Sequence, residues 1–427
     1  MQRESILLHS VVSINTLKGE ITLHRQHTNC TFIFDYVYHP TATQSIIYND
    51  LALPILHCTI QGYNGAIIAY GQTGSGKSHT IEGVNFQDKI TDFRGILPRS
   101  IKTIFSCIGQ DPNKIFYIRS SFYSIYNNKI KDLLCPQYQT IKKLTESKHL
   151  GVVIKDIIHV SVKNEHELLR LFEQGMLNLS TEPTQMSSCS SRETKIFNIY
   201  VECAYIHENK ILKSTIGKLA MVDLEGSEGI AYEQNKMTLS IAALSNVIST
   251  LADSSFYYNA HYMDSILTTL LQENFGGNSK TVFIGNISPA ESSYEESLST
   301  IRLASKTKYI VCKPKINTGD SMIIDILNEL NELKKKLIVQ YPVYCQKYIN
   351  ENDVFELKPS GCFIDMEYSL NKTKEEVKVQ VVDEKMSLSM HKEQKGRKIS
   401  NEASKLKQLD ECLDLIGQIN EIEGILL

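Results

Sequence analysis

The chain has 427 residues, 42% of them hydrophobic and 22% charged, and 45 basic against 48 acidic side chains leave a formal charge of −3. With 22 glycines and 10 prolines over that length, collagen-like and wholly disordered architectures are excluded, and the near balance of charge gives no electrostatic case for nucleic acid. Ten cysteines are scattered with no C-x-x-C pair, which predicts reduced thiols in a cytosolic protein rather than a disulfide framework or a zinc site.

The opening Met1-Gln2-Arg3-Glu4 leads into an apolar stretch broken by His9, Ser10 and Ser13, too polar for a signal-peptide core. No run of eighteen apolar residues offers a membrane span. From residue 11 to about 316, strand-length apolar runs alternate with helical spacing. Strands are predicted over 31–34, 66–70, 115–122, 196–205, 219–224 and 281–287, and helices over 45–61, 165–177, 240–252 and 264–274. That alternation predicts an α/β fold, a central mostly β sheet with helices on both faces.

Past Pro314 the pattern changes. Ile323, Leu330 and Leu337 lie seven apart with Ile326 and Leu333 between them, a short coiled-coil stripe of about two heptads. Residues 371–405 are rich in Lys, Glu and Ser and predict a solvated, partly flexible tail. Leu406, Leu409, Leu413 and Ile416 then resume the spacing of a C-terminal helix.

The strongest chemical signal is Gly71-Gln72-Thr73-Gly74-Ser75-Gly76-Lys77-Ser78, a full match to G-x-x-x-x-G-K-[ST] directly after an apolar strand and before a helical segment. The glycines let backbone N–H groups curl round phosphate oxygens, Lys77 brings a point charge to the β- and γ-phosphates, and Ser78 offers a hydroxyl to Mg²⁺. Such a loop predicts a nucleoside triphosphate site. A second apolar strand ends in Asp223, suited to the Mg²⁺ shell. Gly226 follows it, able to turn an N–H toward the γ-phosphate.

Together these residues resemble the kinesin motor domain family. The block from Asn64 to Thr80 matches that family's nucleotide loop, Asp223-Leu224-Glu225-Gly226-Ser227-Glu228 its second switch, and Ser190-Ser191-Arg192 the core of its first. Further blocks at 32–38, 95–99, 126–134, 244–248, 276–279, 286–290 and 298–302 follow in the family's order. The resemblance implies a P-loop NTPase of kinesin motor type over residues 1–316, a linker end and short coiled coil over 317–340, and a tail over 341–427. It implies ATP and Mg²⁺ as cofactors and microtubules as the track. It also implies a cytoplasmic, cytoskeletal location and a dimer, with itself or another chain, through the short stripe. On the same basis Ser191 joins Ser78 and Asp223 at the metal, Ser190 places the attacking water, Arg192 and Glu228 pair to close the switches, and His79 lies beside the adenine.

Three departures from the family pattern qualify the resemblance. The family's opening strand and Arg-x-Arg-Pro adenine contact have no counterpart in the sequence, so either the sheet lacks an edge strand or the chain starts further upstream. Glu193-Thr194 stands where the family has Ser-His, and Ser187 where it has Asn, which predicts slow hydrolysis. Met263, Ile266 and Thr269 occupy three positions that are basic in the family. Residues 229–272 carry one basic side chain against three acidic ones, so track binding is predicted to be weak unless Lys142, Lys143 and Lys148 compensate. A non-motile, nucleotide-binding interaction module is therefore the alternative reading.

Overall fold

Residues Gly65–Gly71 are buried at every position, a pattern that requires a strand covered on both faces. In the computed structural model this strand sits inside the largest sheet. The structure describes residues 10–25, 28–84, 93–108, 114–136, 143–147, 150–180, 193–207, 210–227, 239–253 and 260–318, with parts of 323–336 and 411–419.

Its strands are β1 (Val12–Asn15), β2 (Glu20–Arg25), β3 (Thr28–Ile33), β4 (Gly65–Gly71), β5 (Lys114–Tyr126) and β6 (Lys129–Asp132). They continue as β7 (Leu144–Ser147), β8 (Gly151–Ile154), β9 (Val160–Val162), β10 (Thr194–His207), β11 (Lys210–Asp223) and β12 (Lys280–Asn286). The helices are α1 (Gln44–Ile47), α2 (Leu53–Ile60), α3 (Lys77–Ile81), α4 (Ile96–Ile108), α5 (Glu165–Ser180), α6 (Leu239–Ala252), α7 (Ile266–Leu270) and α8 (Tyr294–Thr307).

Contacts divide the chain into two units, one of residues 1–106, 118–201 and 216–317, the other of 107–117, 202–215 and 318–427. In the first, the sheet runs β12-β4-β11-β10-β5-β6, with β9 on β5. Parallel pairing sets Asp223 beside Ala69 and Asn286 beside Gly71, so the C-terminal ends of β11 and β12 both arrive at the loop that follows β4. That is where an open α/β sheet presents its ligand crevice.

The two faces separate by strand alternation. Ile196 of β10 joins Ile68, Tyr70 and Val222 in one apolar cluster with Ile241, Leu244 and Ile248 of α6. Its neighbour Phe197 points the other way, edge-on to Phe122 and to Phe172 of α5 at ring separations of 5.3 Å. Helices on both faces were expected, and the structure has them.

Two helical expectations are corrected. The helix expected over 45–61 begins one residue earlier and is interrupted by a π-helical turn, Tyr48–Ala52. Pro54 carries no N–H to donate back along the helix, and the ladder is re-spaced just before it. The helix expected over 264–274 is broken into 3₁₀ turns flanking α7. Ser265 and Thr268 form a reciprocal capping box, with bonds of 3.1 and 3.2 Å, which starts a new helix at Ile266.

After α8 the chain runs extended along the first unit. Lys313 N donates to Gly277 O at 2.8 Å and Lys315 N to Asn278 Oδ1 at 2.6 Å. Asn317 closes the run. Its buried side-chain amide donates to the carbonyls of Gly62 and Ile216 and to Asn64 Oδ1 at 2.9–3.1 Å.

In the second unit, Ile323 is fully buried with Ile115, Tyr117 and Ala204, and Ile326 packs against them. The first two apolar residues of the expected stripe are thus used within the chain. The remainder of that stripe and the C-terminal helix fall largely outside the described residues.

Candidate functional site

The loop from Gly71 to Ser78 is shaped by its neighbours. A Cβ at Gly71 would lie 2.0 Å from the carbonyl oxygen of Asn286 in β12, so only glycine fits. Gly76 precedes α3 with φ of +107°, a backbone shape that a side chain would strain. Ser75 N and Oγ both donate to Gln72 O, at 3.1 and 2.7 Å, which folds the loop on itself. Thr73 and Gly74 are exposed at its tip. Lys77 is buried, and its Nζ donates to the carbonyls of Gly71 and Gln72, each at 2.9 Å. The ammonium is therefore held by the carbonyls of its own loop.

Ser78 Oγ donates to Asp223 Oδ2 at 2.5 Å, so the two expected metal-site residues meet. Asp223 is 4% exposed, and its Oδ1 is buried with no hydrogen-bond partner among the described residues. A hydroxyl and an orphaned carboxylate oxygen are hard oxygen donors of the kind that hold Mg²⁺ or its bound waters. The same Oδ2 lies 2.8 Å from Nζ of Lys195. Lys195 also pairs with Glu82 at the end of α3. Burial opposes the Lys195 charge, but the carboxylates of Asp223 and Glu82 outweigh it and hold the ammonium above the ordinary lysine range.

Beyond Asp223 the chain stays against the loop. Leu224 N donates to Ala69 O at 3.1 Å and Ser227 N to Gly71 O at 3.2 Å, with Gly226 half-buried between them. Glu225 N donates to Thr194 Oγ1 at 3.2 Å, which links this segment to the start of β10. Glu193 is half-buried and its Oε2 has no hydrogen-bond partner among the described residues. Ser190, Ser191, Arg192 and Glu228 lie outside the described residues, as do Ser187, Lys142 and Lys148.

On the other side of the loop a cavity of about 1020 Å³ is lined by Tyr36, Tyr38, His39, Gln44, Ser75 and His79, among others. The rings of Tyr36 and Tyr38 stack with an interplanar angle of 3°. Gln44 Nε2 donates to His79 O at 2.7 Å and lies 3.0 Å from His79 Nδ1, while Gln44 Oε1 is buried without a partner. A flat base would find aromatic surface, an imidazole and an amide oxygen on these walls.

The surface carrying α6 and α7 is built differently. Helix α6, Leu-Ser-Ile-Ala-Ala-Leu-Ser-Asn-Val-Ile-Ser-Thr-Leu-Ala, has no charged residue. Leu239 is 75% and Met263 84% exposed. Of the three neutral positions singled out above, Met263 alone stands in solvent. Ile266 packs against the core, and Thr269 Oγ1 donates to Tyr262 O and Ser265 O.

Four residues to which the sequence assigned no role line the same region: Lys195, Glu82, Gln44 and Asn286, whose Nδ2 donates to Thr80 Oγ1 at 3.0 Å. Only Lys195 carried a readable signal, a cation at the head of an otherwise apolar strand run.

A family model described as the kinesin motor domain matches residues 3–310. Kinesin-like protein KIF3C from Pongo abelii is 32% identical over 367 residues, covering 77% of this chain and 46% of that protein. The Mus musculus protein of the same name gives 32% over 369 residues, with the same coverage. The chain thus spans about half the length of the curated relatives it matches. A solved structure described as that of a fast kinesin superposes with a TM-score of 0.66 at 33% identity, over 74% of this chain and 89% of the other.

Proposed function

The chain belongs to the kinesin motor domain family, and on that premise we propose that it hydrolyses ATP at the loop of Gly71–Ser78 to drive movement along microtubules. The observation that carries the reading is the meeting of three separate elements at one point: Lys77 and Ser78 from the loop, Asp223 from β11, and the Ser227 amide on Gly71 O.

Bound Mg²⁺ would neutralise charge between the β- and γ-phosphates. Ser78 and Asp223 are the described residues that would hold it, and Ser191 is proposed to join them. The protein's own residues supply position and charge. Lys77 exchanges its two carbonyl partners for phosphate oxygens, an ammonium already desolvated and so needing little reorganisation. Gln72, Thr73, Gly74, Ser75 and Gly76 wrap the phosphates through their backbone amides. Gly226 lies in a segment tied at both ends, and release of Ser227 from Gly71 O is the local change that frees its N–H to turn toward the γ-phosphate. Ser190 is proposed to place the attacking water, and Arg192 with Glu228 to close the switches. His79 and the tyrosine pair are proposed to take the base.

Residues 1–316 would act as the motor, 317–340 as the linker end and paired helix, and 341–427 as the tail, in a cytoplasmic, microtubule-associated dimer. ATP turnover by the purified chain, measured with and without microtubules across an ionic-strength series, tests the proposal. Turnover that microtubules accelerate supports it, and absence of turnover under all conditions overturns it. The uncharged α6 and exposed Met263 favour a second reading, a nucleotide-binding module that holds microtubules weakly without moving. Co-sedimentation that is the same in ATP, ADP and nucleotide-free states would select it.

A further inference from the structure

Lys195 sits where strand alternation turns it away from the α6 cluster that takes Ile196 and toward α3. Its side chain is 10% exposed, and its carboxylate partners Glu82 and Asp223 are 13% and 5% exposed. One of them, Asp223, also accepts the Ser78 hydroxyl through the same oxygen. A cation therefore already stands against the carboxylate that the magnesium site depends on.

We propose that Lys195 is a built-in counter-ion of the magnesium site, taking up part of the Asp223 charge so that the cradle holds nucleotide with little dependence on a divalent cation. The inference rests on the nucleotide-site reading above. Asp223 and Lys195 are formally neutral as a pair, and without the lysine Asp223 would present a full negative charge to the cation, while burial already pushes the Glu82 carboxyl above its ordinary range. In a poorly solvated site a charge difference within a few ångströms of a dication changes its binding strongly. Oδ2 of Asp223 is already shared between Ser78 and Lys195, which leaves Oδ1 to face a hydrated cation. The lysine is also locked in place, because swinging it into solvent would leave two buried carboxylates uncompensated. Lys77 differs in kind, since its partners are loop carbonyls that a phosphate can replace.

The test is the affinity of the full chain for a fluorescent ADP analogue, measured in excess magnesium and in EDTA, for the wild type, Lys195→Met and Lys195→Arg. The wild type and Lys195→Arg should lose less than about tenfold in affinity on chelation, and Lys195→Met should lose at least about tenfold more than they do. Manganese titration of the ADP-bound proteins, read by electron paramagnetic resonance, should show Lys195→Met binding the ion about tenfold more tightly. If Lys195→Met does not fold, the double variant Lys195→Met with Glu82→Gln removes the stranded carboxylate and carries the same expectation. Equal magnesium dependence in wild type and methionine variant overturns the inference, as does an arginine variant that behaves like methionine. A wild type that binds no ADP in either condition instead overturns the nucleotide-site reading, and this inference with it.

Discussion

The two ends of the functional surface contrast in how they use charge. Around the Gly71–Ser78 loop, Lys77, Lys195 and Asp223 are buried and Glu82 is largely so, and each is held by a named partner within hydrogen-bond reach. On the surface carrying α6 and α7, by contrast, α6 itself has no charge, the large apolar side chains Leu239 and Met263 are exposed, and the exposed charges flanking them, Asp253 and Asp264, are acidic. Buried, paired charge is costly to assemble and is kept where chemistry needs it. Exposed charge is cheap and mainly sets encounter rate and salt response. Charge in this molecule is thus buried and paired around the Gly71–Ser78 loop and absent from α6.

Removing charge from the nucleotide end is the most severe way to probe that contrast. Lys77→Ala should weaken binding of a fluorescent ATP analogue by about 100-fold or more, read by equilibrium titration, while leaving the thermal melt nearly unchanged. A variant that binds normally would dissolve the contrast from one side.

The next largest effect lies outside both regions and serves as a control. Asn317→Ala removes an amide that satisfies three buried acceptors, Gly62 O, Asn64 Oδ1 and Ile216 O. Urea unfolding should show a loss of about 2–3 kcal/mol, with ADP-analogue affinity retained.

Restoring charge to the other surface sharpens the comparison. Leu239→Lys combined with Met263→Arg should tighten microtubule binding about three- to tenfold at low salt, and the gain should vanish at high salt, as co-sedimentation would show. Ile266 and Thr269 are unsuitable for the same exercise, because one packs on the core and the other is hydrogen-bonded through its hydroxyl.

The smallest effect asks whether a lysine whose burial outweighs the pull of its carboxylate neighbour, Glu273, behaves differently from Lys195. Burial lowers the pKa of Lys218 on β11 from 10.5 to about 8. Below pH 8 it is charged in both folded and unfolded chains, and its burial cost is felt in full. Between 8 and 10.5 the folded chain sheds the proton first, so wild-type stability gains with rising pH. Lys218→Met should be more stable by about 1 kcal/mol at pH 7, allowing for partial solvation of the side chain, and the gap should close toward pH 10.5. Paired urea melts across that range would measure it.

The phosphate loop, Asp223 and the layered sheet were readable in the sequence because each is written locally, as a glycine spacing, a strand end and an apolar alternation. What the sequence did not disclose depends on distant partners. Lys195 has no motif around it, and its partners are Glu82, 113 positions earlier, and Asp223. The neutral residues at 263, 266 and 269 looked equivalent, and only packing separates the solvated Met263 from the other two. Helix breaks escaped for a different reason. The capping box at Ser265 and the π turn before Pro54 are local, but they interrupt a periodicity that otherwise continues through them. The apolar stripe after Pro314 gave no hint that Ile323 is buried on Ile115, Tyr117 and Ala204 of the same chain.

Strand β4 has one further consequence. Asn317 grips Gly62 and Asn64 just ahead of its first residue, and its last residue, Gly71, begins the phosphate loop and receives the Ser227 amide. The seven residues between form a stiff rod about 23 Å long, braced on both sides by parallel neighbours. Asn317 at one tip of that rod and the Gly71–Ser78 loop at the other are thus joined through a single braced piece of backbone, so a shift at either tip is felt at both.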